Sequence, residues 1–347
     1  MADLQTAVEL TKLARELDVP DSDLAFLAPI GADALRDLRA DISEAIFAAH
    51  APQLHRIAAL TTLLPITLTT KIAELAMGPV LCAKIAAVLE PANAVKLAKQ
   101  FKPAFLTEVS LNLEPSRAAA IISELPDALV IDVGTRLLTM GELITLGRFV
   151  SFVDVDVALG VVESASPADL LRVAVFTEDK SALEAIVSAL PDETLAEVVR
   201  VAGETGQYDD AVTLLEALSA ESTARLLGLV AGISTDLISG FVSAVDGHDA
   251  WPAVIAGIGG LDSEQLAMLA NLPEIADPAL IDRVVRHAHR ADAAPSLVKA
   301  VLVLDEQHLE VVSQAPALAE PKIKKWLIAT TGVSPRLVKA VLSELGV

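Results

Sequence analysis

The side chains of this chain that could do chemistry are six histidines, one cysteine and a surplus of acids. His287 and His289 stand two apart. On a helix that spacing puts the imidazoles on different faces, whereas a metal pair needs three or four. Arg286 and Arg290 flank them and oppose a cation, so the pair reads as a solvated basic face. His50 and His55 straddle Pro52 and define no geometry. Asp154 with Asp156, and Asp209 with Asp210, lack the further oxygens and central glycine of a calcium loop, and they read as caps and turns. Gly257-Ile258-Gly259-Gly260 has no trailing Lys-Ser/Thr and no preceding strand, so it reads as a helix end and not a phosphate cradle. No serine sits in Gly-x-Ser-x-Gly. Cys82, in an apolar run, reads as a small buried hydrophobe. A single cysteine gives neither an intramolecular disulfide nor a thiolate zinc cluster. With no acid–base or nucleophile pair at workable spacing, the expectation is a protein that is not an enzyme and has no cofactor and no metal site.

The elements that would position any site are helices. Pro, Gly and Asp recur about every 11–14 residues, as at Pro91, Pro103, Pro115 and Pro126, and each interval holds one short apolar-striped helix. Ser166-Pro167 through Asp169, Asp277-Pro278 and Ser334-Pro335 combine a cap residue with proline at the first helical position. Asp262 with Gln265, and Thr139 with Glu142, match the capping-box spacing. Leu183, Ile186, Val187 and Leu190 fall at i, i+3, i+4, i+7. Phe152 to Val157 alternates like a strand, but no second strand could pair with it, so residues 150–157 read as a loop running into a helix. Residues 33–49 predict a longer helix, with Leu35, Leu38, Ile42, Ile46 and Phe47 on one side.

The spacing predicts an all-α chain, a right-handed α-solenoid or superhelix of about 22–26 short helices, because two-turn helices must stack to bury a core. A soft boundary separates an N-terminal helical cap, residues 1–52, from the array, residues 53–347. Acids outnumber bases 10 to 4 over residues 1–50, and bases outnumber acids 6 to 2 over residues 51–105. Of the net charge of −21, the whole imbalance lies in residues 106–280, with 7 Lys and Arg against 28 Asp and Glu. That field repels phosphate backbones and disfavours nucleic acid. It suits a basic protein partner, with Asp192, Glu193 and Glu197 as candidate docking acids, or weak divalent-cation binding.

Hydrophobic residues make up 53% of the chain, aromatics only 3%, and mean hydropathy is +0.53. Narrow helix stripes need less apolar mass than that. Residues 57–89 are almost uncharged, and they hold Leu64, Ile66, Leu68, Ile72 and Met77. Phe101 with Phe105, and Phe149 with Phe152, lie at helical spacing. These nine are core, or the wall of a groove for a lipid, sterol or similar apolar molecule. Lys71, Glu74, Lys84, Pro65 and the Gly78-Pro79 break argue against a membrane span. The first residues lack the basic start of a signal peptide, so a cytoplasmic, non-spanning protein is expected.

Leu113-Glu114-Pro115, followed by Ala118-Ala119-Ala120-Ile121-Ile122 and Leu125-Pro126, resembles the repeat of the cytosolic N-terminal domain of MgtE-type magnesium transporters. Leu190-Pro191-Asp192 leading Leu195 is similar. The resemblance covers about residues 89–230. It implies a superhelix of short helices and acidic faces that attract Mg²⁺. No segment resembles a CBS domain or a transmembrane block, so transport is not implied. The leading expectation is a scaffold that docks a protein partner through a curved, centrally acidic surface. The alternative is a carrier for an apolar small molecule.

Overall fold

The computed structural model describes residues 4–61 and 63–330, and every regular element among them is helical. The chain divides into two compact units, residues 1–186 and 187–347. The boundary expected near residue 52 falls inside the helix Ala32–Thr61, which runs through Pro52. Leu54 and Ala58 hold its second half by packing on Ile85.

In the first unit, proline sets the helix starts. Pro91, Pro103, Pro115 and Pro167 each open a helix, and the residues before them are extended, with ψ of 129° at Glu90, 140° at Lys102, 111° at Glu114 and 153° at Ser166. The pyrrolidine ring bars the preceding residue from helical ψ and lacks only an N–H that the first turn would leave unpaired. Ser166 also caps, accepting from the Asp169 N–H at 3.2 Å. The capping box expected at Thr139 and Glu142 is not there. Thr139 closes the helix Asp127–Thr139 and its hydroxyl donates to the Thr135 carbonyl at 2.8 Å. Gly141, at φ 74°, turns the chain into the helix Leu143–Phe149. A left-handed glycine just after a helix is a stop signal, and it outranks the Thr-x-x-Glu spacing. Residues 150–157 form no strand: a 3₁₀ turn, Val150–Phe152, leads through Asp154 into the helix Val155–Val162.

Most of the helices pack chiefly on the next but one. Gly78–Ala86 packs on Pro103–Ser110, that helix on Asp127–Thr139, and that in turn on Val155–Val162; Pro91–Ala98 packs on Pro115–Ile122. The second unit repeats the scheme, with Asp192–Thr205 on Ala220–Ala231, Ala220–Ala231 on Trp251–Ile258, and Tyr208–Leu215 on Thr235–Gly247. Its caps match the sequence reading. Asp262 accepts from the Gln265 N–H at 2.8 Å while the Gln265 side chain accepts from the Asp262 N–H at 3.1 Å. Asp277 accepts from the Ala279 N–H at 2.9 Å. The Ser334-Pro335 start lies outside the described residues.

Leu143–Phe149 meets Pro167–Phe176 at a glycine. A methyl group at Gly147 would stand 2.8 Å from the backbone carbonyl carbon of Phe176. Alanine favours helices over glycine by about 1 kcal/mol, so a loosely packed Gly147 would gain from the change. Here Gly147→Ala is expected to lower unfolding stability by about 1–3 kcal/mol, the cost of forcing packed backbones apart. A denaturation midpoint that stays level or rises would refute the close approach.

Candidate functional site

The second unit contains a partly open cavity of about 200 Å³. Leu227 and Val230 reach it from Ala220–Ala231, Ile238, Phe241 and Val245 from Thr235–Gly247, Trp251 and Val254 from Trp251–Ile258, and Leu280 and Val284 from Pro278–Arg290. Leu266, Leu297, Val301 and further residues as far as Leu327 add to the wall, and every lining residue is apolar. Several polar groups nearby are satisfied, although one carboxylate oxygen of Glu274, between the lining residues Leu272 and Ile275, is buried without a partner. The Trp251 indole N–H donates to Asp246 at 3.1 Å. His308 is buried, with Nδ1 at 2.8 Å from Asp305 and Nε2 at 3.0 Å from the Leu272 carbonyl. Asn271 donates to the Val303 carbonyl at 2.9 Å and accepts from the Asp305 N–H at 2.8 Å. The lining therefore offers shape and dispersion contacts, but no group to move a proton or bind an ion.

None of the nine apolar candidates lines this cavity. Leu64, Ile66, Leu68 and Ile72 lie exposed on the surface of the first unit. Met77 is half-buried against the Leu54, Ala58 and Ile85 cluster. Phe101 and Phe105 pack on each other, ring centroids 5.0 Å apart, and Phe149 and Phe152 are half-buried beside the 3₁₀ turn. The stretch 57–89 is thus in large part not core, and it does not line this cavity. Leu63 is 78% and Leu75 87% exposed, and Leu60 and Val80 are exposed too. Among the described residues, only 66–86 is long and apolar enough for a membrane-crossing helix by length and composition, and little of it is buried.

Two of the three acidic candidates already have cations. Asp192 accepts from Arg225 Nε at 2.6 Å, and Arg225 also donates to the Val187 carbonyl at 3.0 Å. Glu197 is bound by Arg200, Nε to Oε2 at 3.0 Å, and that hydrogen bond holds its carboxyl below the usual range. Arg200 binds Glu204 as well. Glu193 is exposed, with no ion pair among the described residues.

The other chemistry-bearing residues act in packing. His287 is buried, with Nε2 at 2.8 Å from Asp249, and is not the solvated side chain the sequence suggested. Its neighbour His289 sits edge-on to Trp326 at 4.9 Å. The run Gly257–Gly260 ends the helix Trp251–Ile258, as its sequence suggests, and a methyl group at Gly257 would meet Thr223 at 2.9 Å and Leu227 at 3.0 Å, so the glycine also lets two helices close up. Burial pushes the half-buried Cys82 thiol up to about 11, which leaves it protonated and unreactive at neutral pH. Among the described residues no group of three His, Cys, Asp or Glu side chains is placed to hold a metal ion.

Charge does collect inside the first unit. Glu9 is 1% exposed and contacts Lys12 at 3.2 Å, Arg36 at 3.3 Å and Arg39 at 3.4 Å. Glu178 contacts Lys12 at 3.0 Å and Arg39 at 2.7 Å. Three cations around two carboxylates tie Leu4–Leu17 and Ala32–Thr61 to the segment after Pro167–Phe176, a connection no sequence spacing announces. The Nε atoms of Arg36 and Arg39 are buried without a partner.

No protein family, curated protein or solved structure matches the chain.

Burial opposes ionisation of Glu178, but the charges of Lys12 and Arg39 outweigh it and hold the carboxyl below its ordinary range. A lowered carboxylate stabilises the fold above its unfolded pKa, and that contribution is lost as pH falls through the folded value. Glu178→Gln is expected to cost about 1–3 kcal/mol at neutral pH, less than the loss of a fully buried partner because Glu178 is partly exposed. The deficit should shrink as pH drops below the ordinary glutamate pKa. An equal deficit at every pH would show that packing, and not charge, is what the substitution removes.

Proposed function

We propose that this protein is a non-enzymatic binding protein that carries a small apolar molecule in the cavity of its second unit. The observation that carries the reading is the lining: a cavity of about 200 Å³ without a polar side chain in its wall. Apolar cavities of such character stay dry, and one of about 150 Å³ accepts benzene. Pockets for drug-sized ligands run from about 300 to 1,000 Å³. The cargo is therefore a single ring or a short alkyl chain. A sterol or two-chain lipid, the cargo suggested by composition alone, is too large. The stacking of most helices on the next but one supports a superhelical arrangement within each unit, with the cavity between layers. Docking of a basic protein partner is the weaker reading, because Asp192 and Glu197 spend their charge on Arg225 and Arg200.

Mass spectrometry of an organic extract, beside a native mass spectrum, is expected to show a stoichiometric small apolar molecule or a protein that accepts one. Toluene at about 100 times its dissociation constant should stabilise the fold by about 2.7 kcal/mol. Val254→Phe, which fills the space, should abolish that response without lowering the melting temperature. If no apolar molecule is extracted and toluene leaves the melting curve unmoved, the carrier reading fails.

A further inference from the structure

Within the stretch 57–89, residues 63–75 are folded inside out. On Ile66–Ile72 and the π-turn Ala73–Met77 that follows it, the buried positions are Thr69, Thr70 and Ala73, and the exposed ones include Leu68, Ile72 and Leu75. The inward hydroxyl of Thr70 is satisfied by its own helix, donating to the Ile66 carbonyl at 2.8 Å. Water therefore meets a cluster of leucine and isoleucine side chains, and large exposed apolar clusters on soluble proteins mark interaction sites.

Charge identifies the occupant. Residues 51–105 carry six Lys and Arg against two acids in a chain of net charge −21. All six, Arg56, Lys71, Lys84, Lys96, Lys99 and Lys102, are exposed, and none makes an ion pair with a described acid. Elsewhere Arg15, Arg117, Arg148, Arg225 and Arg283 are each bound to a carboxylate, while Arg172, Lys180, Arg290, Lys322 and Lys325 are exposed without an ion pair to a described acid, but they are scattered and not gathered beside exposed leucines. Lys71 lies one turn from both Leu68 and Leu75, so cation and apolar side chains share a face. The one acid of residues 60–89, Glu74, accepts from the Lys102 backbone N–H at 3.5 Å. Exposed leucines among unpaired lysines are the composition that binds an anionic lipid surface: apolar side chains enter the acyl boundary, and lysine stems let the ammonium groups reach the headgroups.

We propose that this face docks the first unit onto an anionic membrane surface, lying in the interface and not crossing it. Lys71, Glu74 and Lys84 within the apolar run, and the left-handed Gly78 before Pro79, stand against a straight span. A second copy of the chain is disfavoured as the occupant, because a two-fold contact would set this cationic face against itself. The inference does not depend on the cavity in the second unit.

Flotation with vesicles tests it. The protein is expected to float with equimolar phosphatidylcholine–phosphatidylserine vesicles and to bind pure phosphatidylcholine at least about tenfold more weakly. Leu63→Asp and Leu75→Asp, at sites so exposed that the fold should not sense them, should each weaken binding about tenfold or more with an unchanged melting curve. Lys71→Ala should cost about fivefold on anionic vesicles and nothing on neutral ones. The proposal is overturned if the wild type does not float with anionic vesicles, if it binds neutral ones equally, or if the aspartate variants float undiminished. A concentration-dependent dimer that Leu75→Asp abolishes would assign the face to a second copy, and overturn it as well.

Discussion

A helix of eight residues does not hold itself together in water. Pro91–Ala98, Pro103–Ser110, Pro115–Ile122, Trp251–Ile258 and Ser263–Ala270 are all that length. Each exists only because neighbours cover it, and that requirement organises the molecule. A short helix followed by a sharp break cannot lie along its immediate successor for long, so the lasting contact is with the next but one. Side chains must be small where helices close up. Ala118, Ala202, Ala288 and Ala294 are wholly or almost wholly buried, and Gly147 and Gly257 go further by offering no side chain at all. The abundance of alanine and the scarcity of aromatic residues follow from this close stacking.

Frequent breaks expose many helix ends, each with unpaired backbone groups. The chain limits that cost in two ways. Proline at the first helical position removes one N–H that would have been orphaned. Side chains then reach across to carbonyls at the ends of other helices: Lys299 to the Gly259 carbonyl at 2.9 Å, Arg225 to that of Val187, and His308 to that of Leu272. These cationic and imidazole contacts sit where the helix dipole is negative, so they satisfy hydrogen bonding and charge together. The same logic explains the neutralised acids. In a segment with 28 acids and 7 bases, nearly every arginine is taken up by a carboxylate or a helix end.

What was legible in the sequence was local. Asp262 with Gln265, Asp277 before Pro278 and Ser166 before Pro167 act through residues two or three apart, and each starts a helix as the spacing says. The Thr139 misreading is also local: Gly141 decided between two overlapping signals. What was not legible depends on distance. Glu178 meets Lys12 across most of the first unit, and Asp249 meets His287 from the turn after Thr235–Gly247. The cavity draws on residues from Leu227 to Leu327. Its presence depends on a deficit of side-chain volume between helices, which no single stretch displays. Residues 57–89 were read as core or cavity wall because their composition is apolar. Periodicity locates a stripe, and only the placement of Thr69, Thr70 and Ala73 shows which side of it faces inward.

The two apolar features differ in a way that composition hides. The cavity residues lost water when their helices stacked, and the fold has already gained most of the free energy of that burial. What remains is a small apolar volume whose filling recovers dispersion contacts forgone by its walls. Leu63 and Leu75 have gained little, because they still face water, and most of their transfer free energy is available to whatever covers them. An apolar ligand in the cavity can therefore be discriminated by size, since the wall fixes the volume. The outer face can select only by charge and extent. Under the two proposals, accordingly, a small molecule is assigned to the second unit and a surface to the first.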